Sequence, residues 1–571
     1  LAGFLRIARA IGFAFMKILI LGGYGVFGGR LVHLISDLVG VEILVAGRDV
    51  VAARKFCEGW TGTAGLRPLL LDRANVAAAI SGEKPDLIVD ASGPFQIYGG
   101  DPYHVVRAAI AAGVDYLDFA DGSEFVKGIS QFDAEAKQRG LIVLSGVSSF
   151  PVLTSAVLRD MGQDMTIRRV RAGVAPSPHA GIGMNVMRAV LSYAGSPVDM
   201  RRNGKDAKGI GLAESLRYTI APPGELPLNN TRFSLVDVPD LQLIPAIMPD
   251  ITDIWVGAGP VPEGLHRLLN LLARLRHALR LPSLTPLAPL CYRVLNALRF
   301  GPHRGGIFIE AEGESDGKPL RRSWHMLAEG DDGPLIPSMA IEAIIRKLML
   351  GHRPAAGARP ALADLDLADY QVLFRRRNIR HGWRDDEAGQ ALYPGILGDR
   401  FARLPPQIQA LHRPGEKSVW QGKANVTRAR GPLAAAIAGI FRFPQAGQDI
   451  PVKVTLTTDN RGGETWTRHF DARRMRSYQH AGQGRDAHLL IERFGPVSVA
   501  LALVIHGGQL KLVPRHWRIF GLPLPRALLP TGNTYETAAD DRFRFHVEIG
   551  LPFIGQIVCY DGWLQPVTEN V

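Results

Sequence analysis

Cysteine is scarce in this chain: three residues, Cys57, Cys291 and Cys559, stand among 571. Their scatter excludes a disulfide framework and any cysteine-based metal motif, and the scarcity points to a reducing cytoplasm. Metal-type histidine spacing is missing too. His506, His516, Trp517, Tyr535 and His546 stand among strand-like runs with no ligand rhythm, so no metal is expected. No uninterrupted apolar run reaches the roughly 18 residues of a spanning helix. A zinc finger, an RNA-binding signature and a sequence-reading basic helix are all absent, so the net charge of +12 does not indicate nucleic acid. The arginines at 375–377 with Arg380, and at 473, 474 and 476, read first as solvated surface and second as attractors of phosphates, acidic ligands or anionic lipid. A hydrophobic content of 46% with 21% charge is ordinary for a soluble globular chain, and the length implies about two to four domains.

Glycine is present in one informative place. Lys17 to Arg30 reads KILILGGYGVFGGR, and Leu31, Leu34, Ile35 and Leu38 follow at helical spacing. Strand, tight glycine turn and helix in that order form a dinucleotide-binding fingerprint. Gly23 permits the turn, Gly25 lets backbone approach a pyrophosphate, and Gly28 lets the helix pack on the strand. Gly22, Gly23, Tyr24, Gly25, Val26, Phe27 and Gly28 are therefore the candidate cofactor loop.

From residue 16 to 150, strand and helix alternate, with strands expected at Ile18–Leu21, Glu42–Ala46, Arg67–Leu71, Leu87–Asp90, Tyr116–Phe119 and Leu141–Leu144. That alternation predicts an α/β domain with a doubly wound parallel sheet. Residues 1–15 read as a non-native or mis-annotated extension ahead of Met16. Residues 151–385 read as an α+β substrate or dimerisation domain, with a hairpin at Asp316-Gly317, so a homodimer is one expectation. Residues 355–395, rich in alanine, proline and charge, read as a domain boundary. An apolar helical insert occupies 262–300, and Leu265–Leu281 within it is leucine-rich, with arginine or histidine at 266, 267, 274, 276, 277 and 280. It packs on its own domain or lies on a membrane surface through 265–298. Residues 390–571 alternate apolar and polar positions between glycine pairs, which predicts a mainly antiparallel β domain, either a barrel or a curved sheet. Phe520, Leu522, Phe545 and Trp563 line a cavity there or belong to its core.

These motifs resemble a known family. GGYGVFG at 22–28, ILVAGRD at 43–49, ASGPFQIYG at 91–99, GVDYLDFADGSEF at 113–125 and GPLIPSMAIEAIIRKLMLG at 333–351 are similar to saccharopine dehydrogenase-like oxidoreductases. The resemblance covers about 330 residues in order and implies a Rossmann domain with an NAD(P) cofactor. The remainder resembles an uncharacterised bacterial domain found fused to this oxidoreductase type. The chain departs from the pattern at Gly146-Val147-Ser148-Ser149-Phe150-Pro151, where Ser148 replaces an expected carboxylate. Lysine biosynthesis proper is therefore not implied.

Cofactor choice turns on the end of the second strand. Arg48 there suits the 2′-phosphate of NADP, while Asp49 beside it is the alternative, as a ribose ligand for NAD. Asp72 lies near the adenine edge or caps the next helix. Ser92, Gly93, Pro94 and Phe95 are expected in the nicotinamide crevice, with Phe95 walling the ring. Tyr98, His104, Asp118, Asp121 and Ser148 are the polar groups nearest that crevice, and Tyr98 or Asp118 is the candidate proton-handling residue. No Tyr-x-x-x-Lys pair is evident there, which argues against a short-chain dehydrogenase mechanism. The leading expectation is an NADP-dependent oxidoreductase acting on a carbonyl, imine or activated double bond of a small-molecule substrate, preferably a bulky or lipid-like one. A non-catalytic NADP(H) sensor or scaffold is the second, and a peripheral membrane lipid carrier the third.

Overall fold

The computed structural model describes residues 15–98, 100–260, 262–386 and 390–567. The proposed extension at 1–15 thus lies outside the described residues except for Phe15. The chain forms two compact units. One runs to Leu216 and includes Arg232–Pro319 and Leu327–Ile379; the other joins Arg217–Thr231, Leu320–Met326 and Arg380 onward.

The first unit opens with β1 (Met16–Leu21), α1 (Val26–Leu34), β2 (Val41–Gly47), α2 (Val50–Cys57), β3 (Gly65–Leu70), α3 (Val76–Glu83), β4 (Leu87–Asp90), α4 (His104–Ala112), β5 (Asp115–Asp118) and β6 (Ile142–Ser145). Their sheet is parallel in the order β6-β5-β4-β1-β2-β3, the doubly wound arrangement. Ile18, Leu19 and Ile20 are fully buried, as expected for a central parallel strand covered on both faces. The order reverses between β1 and β4, so a crevice opens beyond their carboxyl ends, and the glycine loop lies there. α4 stops where Gly113 takes φ 72, the left-handed position that follows many helices.

A seventh strand, Gly357–Pro360, pairs with β6 and extends this sheet. The division between the two units, after Ile379, falls within 355–395, and four residues of that stretch ahead of it belong to the first sheet. The short strand has little apolar alternation, which hid it from the sequence. In the same unit Thr231–Leu235, Asp253–Ala258, Thr166–Ala175 and Arg304–Ser315 lie side by side in that order. The hairpin after Arg304–Ser315 turns at Asp316 (φ 50) and Gly317 (φ 73), as the Asp-Gly pair predicted.

The second unit is built on an eleven-stranded sheet. Lys417–Arg428, Gly447–Thr458, Glu464–Phe470, Arg473–Ala481, Leu490–Phe494, Val497–His506, Gln509–Ile519, Tyr535–Ala539, Arg542–Leu551 and Gly555–Pro566 pair antiparallel in chain order. The last returns to pair with the first, Gly422 opposite Leu564, so the domain is a closed barrel rather than an open curved sheet. Strand Leu522–Pro523 hangs from one rim. Of the four predicted cavity residues only Phe545 lines the main interior cavity. Phe520 and Leu522 are 81% and 71% exposed, because they sit in a connection rather than a strand interior, and Trp563 lines a separate, shallower pocket beneath Arg542.

Candidate functional site

The glycine loop leaves β1 and enters α1 at Gly25, whose extended backbone caps the helix without a side-chain bond. The first N–H groups of α1, from Val26, Phe27 and Gly28, have no preceding helical carbonyl, and no acidic side chain occupies that turn. Gly28 sits where a Cβ would meet the Gly22 carbonyl oxygen at 2.3 Å. The loop is thus a backbone cradle with donors facing outward, which fits a pyrophosphate. At the end of β2, the Tyr24 hydroxyl accepts from the Asp49 N–H at 3.0 Å. The Asp49 carboxylate accepts from Val51 N (2.9 Å) and Ala52 N (3.0 Å), capping α2. Arg48 is exposed and has no ion-pair partner among the described residues. Asp72 accepts from Ala74 N at 2.9 Å, the capping role.

Beyond β4 the crevice residues are bound to one another. Ser92 donates its N–H (2.9 Å) and hydroxyl (2.7 Å) to Asp90, and its hydroxyl lies 3.0 Å from that of Tyr98. The Tyr98 hydroxyl donates to Asp90, and the Arg73 guanidinium lies over the Tyr98 ring, 3.6 Å from its centre. Burial and the neighbouring Asp90 charge hold the Tyr98 phenol well above its ordinary range. Phe95 is buried and stacks on Tyr98 with centroids 4.8 Å apart, so it packs inward instead of walling a ring. Gly93 and Pro94 form the loop, and the Gly93 carbonyl accepts from Asn185 Nδ2 at 2.6 Å. Tyr98 is held as a structural member of a buried cluster.

Asp118 is likewise buried; its Oδ1 accepts from Gly146 N (2.8 Å), Ala120 N (2.9 Å) and Ser145 Oγ (3.0 Å). Burial drives this carboxyl up to about 7 against those hydrogen bonds. The folded chain keeps a proton there that the unfolded chain releases near pH 4, so stability is lost as pH rises from about 4 through 7. Asp118→Asn keeps the acceptor and removes the charge. It is expected to stabilise the chain by on the order of 2 kcal/mol at about pH 8 and by little near pH 4, read from denaturant melts at the two pH values.

Residues 18–144 match the family model described as the saccharopine dehydrogenase NADP binding domain. The matched stretch carries β1 to β6 and the glycine loop, so this part of the chain is similar to a saccharopine dehydrogenase NADP binding domain. The match supports an NADP-dependent oxidoreductase. Residues 404–564 match a domain of unknown function, DUF4166, which coincides with the barrel. Solved structures similar to the chain include an apo, histidine-tagged saccharopine dehydrogenase (L-Glu forming) from Saccharomyces cerevisiae, at 13% identity and TM-score 0.45, over 65% of this chain and 100% of that one. Amine dehydrogenase from Mycobacterium smegmatis aligns at 11% identity and TM-score 0.33, over 61% of this chain and 95% of that one. An engineered D-amino acid dehydrogenase bound to NADP+ aligns at 13% and 0.31, over 63% and 99%. No curated protein matches the chain.

Next to the glycine loop of the NADP binding domain is an apolar pocket of about 380 Å³, absent from the sequence reading. Val26 and Phe27 of the loop line it, with Met187, Val190, Leu269 and Leu295. Its polar groups include Arg30, Ser149, Tyr193 and His266. His266 is 2% exposed, and neither ring nitrogen has a hydrogen-bond partner among the described residues. Burial, then the Arg232 charge, pushes its pKa down to about 4, so the ring is neutral at pH 7 with one N–H to donate. Helix Glu263–Leu279 places His266, Leu269, Asn270 and Ala273 on its buried face. His266, counted in the sequence among the basic positions of this helix, thus lies on its buried face. The signal was available: 266, 269, 270 and 273 fall on one side at helical spacing. Among the described residues there is no cluster fit for a metal ion and no helix long and apolar enough to cross a membrane.

Proposed function

We propose that the chain is an NADP-dependent oxidoreductase acting by hydride transfer on a carbonyl, imine or enoyl group of an apolar, lipid-like substrate. The observation that carries this reading is the unpartnered, neutral His266 in a largely apolar pocket lined by the cofactor loop itself. A buried imidazole without a partner costs about 1–3 kcal/mol, and a substrate oxygen or nitrogen would relieve it. The glycine loop and the start of α1 hold the pyrophosphate, and Arg48 takes the 2′-phosphate because the Asp49 carboxylate is engaged as a cap. NADPH, when bound, supplies the hydride. His266 donates its N–H to the reacting group's heteroatom, and the apolar wall excludes water.

An apolar substrate also fits the outer face of the same helical insert. Leu268, Leu271, Leu275 and Leu279 are exposed along one stripe of Glu263–Leu279, beside exposed Arg267 and Arg274. Such a face suits peripheral contact with an anionic membrane through 265–298, with a second copy of the chain as the other occupant. The engaged Tyr98 and Asp118, and Ser148 in place of a carboxylate, favour the second reading, a sensor that binds NADPH without consuming it. A panel of long-chain aldehydes, ketones and enones separates the two by NADPH consumption. With an accepted substrate, His266→Leu is expected to lower kcat about 100-fold with NADPH affinity unchanged, and His266→Gln to recover part of the loss. Undiminished turnover in His266→Leu would remove the histidine from the mechanism.

A further inference from the structure

The barrel encloses a cavity that hydride transfer does not use. It measures about 350 Å³, within the span of small-molecule sites. Val452, Val454, Phe470, Val499, Leu512 and Ile549 form much of its wall. Midway along the strands a polar group reaches in from three neighbours. Arg468 donates to Ser477 Oγ (2.8 Å) and Glu492 Oε1 (3.2 Å), and Ser477 donates to the same carboxylate at 2.7 Å. Glu536, held by His412 at 2.5 Å, and Glu548 also line the cavity. One arginine thus faces the two carboxylates of Glu492 and Glu536, so a carboxylate head group would enter a site of its own sign. A hydroxyl or carbonyl can donate to Glu492 or accept from Arg468 without that penalty.

The pairing register puts the connections 429–446, 471–472, 495–496, 520–534 and 552–554 at one end of the barrel. Every exposed large apolar side chain of this unit among the described residues lies in them: Leu433, Ile440, Phe520, Leu522, Leu528 and Phe553. Phe520 and Phe553 are 81% and 95% exposed. Exposed Arg430, Arg442, Arg474, Arg493 and Arg526 lie at or beside the same end, against Asp449 and Asp471. Ile437, Phe441 and Pro530 of these connections line the cavity, so the apolar, basic end is also its mouth. Bulky apolar side chains ringed by arginine match an anionic bilayer surface.

We infer that the barrel takes up one neutral lipid-like molecule, a long-chain alcohol, ketone or ester rather than a free fatty acid, from an anionic membrane contacted by this end. The inference does not depend on the oxidoreductase reading. The test uses the full chain and a neutral naphthylamine fluorophore, displaced by tetradecanol or by tetradecanoate. Tetradecanol should displace it at a concentration at least about tenfold lower, and Glu492→Gln should narrow that gap. Val499→Trp, which fills the cavity, should weaken fluorophore binding about tenfold or more with NADPH affinity intact, whereas Val186→Trp in the other pocket should not. Transfer of the fluorophore from phosphatidylcholine–phosphatidylserine vesicles should be faster than from phosphatidylcholine alone. Phe520→Ser with Phe553→Ser should abolish that difference while sparing affinity in solution. Binding insensitive to Val499→Trp, equal displacement by the carboxylate, or transfer indifferent to phosphatidylserine would each overturn the inference.

Discussion

Gly28→Ala is expected to abolish NADPH binding. The added Cβ would stand 2.3 Å from the Gly22 carbonyl oxygen and 2.9 Å from the Gly23 Cα, both backbone atoms that cannot swing aside. Relief requires α1 to move off the turn, and the outward N–H groups at its start move with it. An affinity loss of at least about 100-fold follows, near 3 kcal/mol, together with an earlier melt. Gly25→Ala is the milder companion. Its Cβ meets only the Gly22 carbonyl, at 3.0 Å for the oxygen. The fold should therefore survive while the approach of the phosphates is obstructed, lowering affinity about tenfold. Fluorescence titration and thermal melts on the two variants separate damage to the fold from damage to the cradle. Wild-type NADPH affinity in Gly28→Ala would mean that this loop is not the phosphate site.

Arg48→Asp is expected to reverse the cofactor preference. The guanidinium stands exposed at the end of β2 with no ion-pair partner among the described residues, while its neighbour Asp49 is occupied by the Val51 and Ala52 amides. Losing a charge-assisted contact to the 2′-phosphate and adding a negative charge should weaken NADPH by about 2–3 kcal/mol. The new carboxylate can accept from ribose hydroxyls, so NADH should strengthen. Asp49→Asn keeps a capping oxygen and should alter neither affinity appreciably. If Arg48→Asp leaves both affinities unchanged, the arginine has no part in selection.

The parallel sheet was legible because β1, β2 and β4 are continuous apolar runs set against glycine and alanine-rich helices, with a loop whose glycines have few alternative uses. The barrel strands were legible from alternation, and closure settled which architecture they build. Arg473–Ala481 is the barrel strand hardest to read from the sequence, because its inward Met475, Ser477 and Gln479 include two polar residues and the alternation disappears into them. Gly357–Pro360 is short and sits at the sheet edge. The candidate site was legible only in part. Tyr98 and Asp118 fall near the crevice in sequence, but hydrogen bonds to Asp90, Ser92, Gly146 and Ala120 decide what those side chains do. His266 is about 170 residues after Tyr98 on a helix of another layer, so only tertiary packing brings it to the glycine loop.

The central claim is that the glycine loop and Arg48 hold NADPH. Titration of the full chain with NADPH and with NADH, followed by nicotinamide fluorescence, tests it most directly. Saturable NADPH binding at one equivalent, with NADH at least about tenfold weaker, is the predicted result. Binding of neither nucleotide, or equal binding of both, would contradict it.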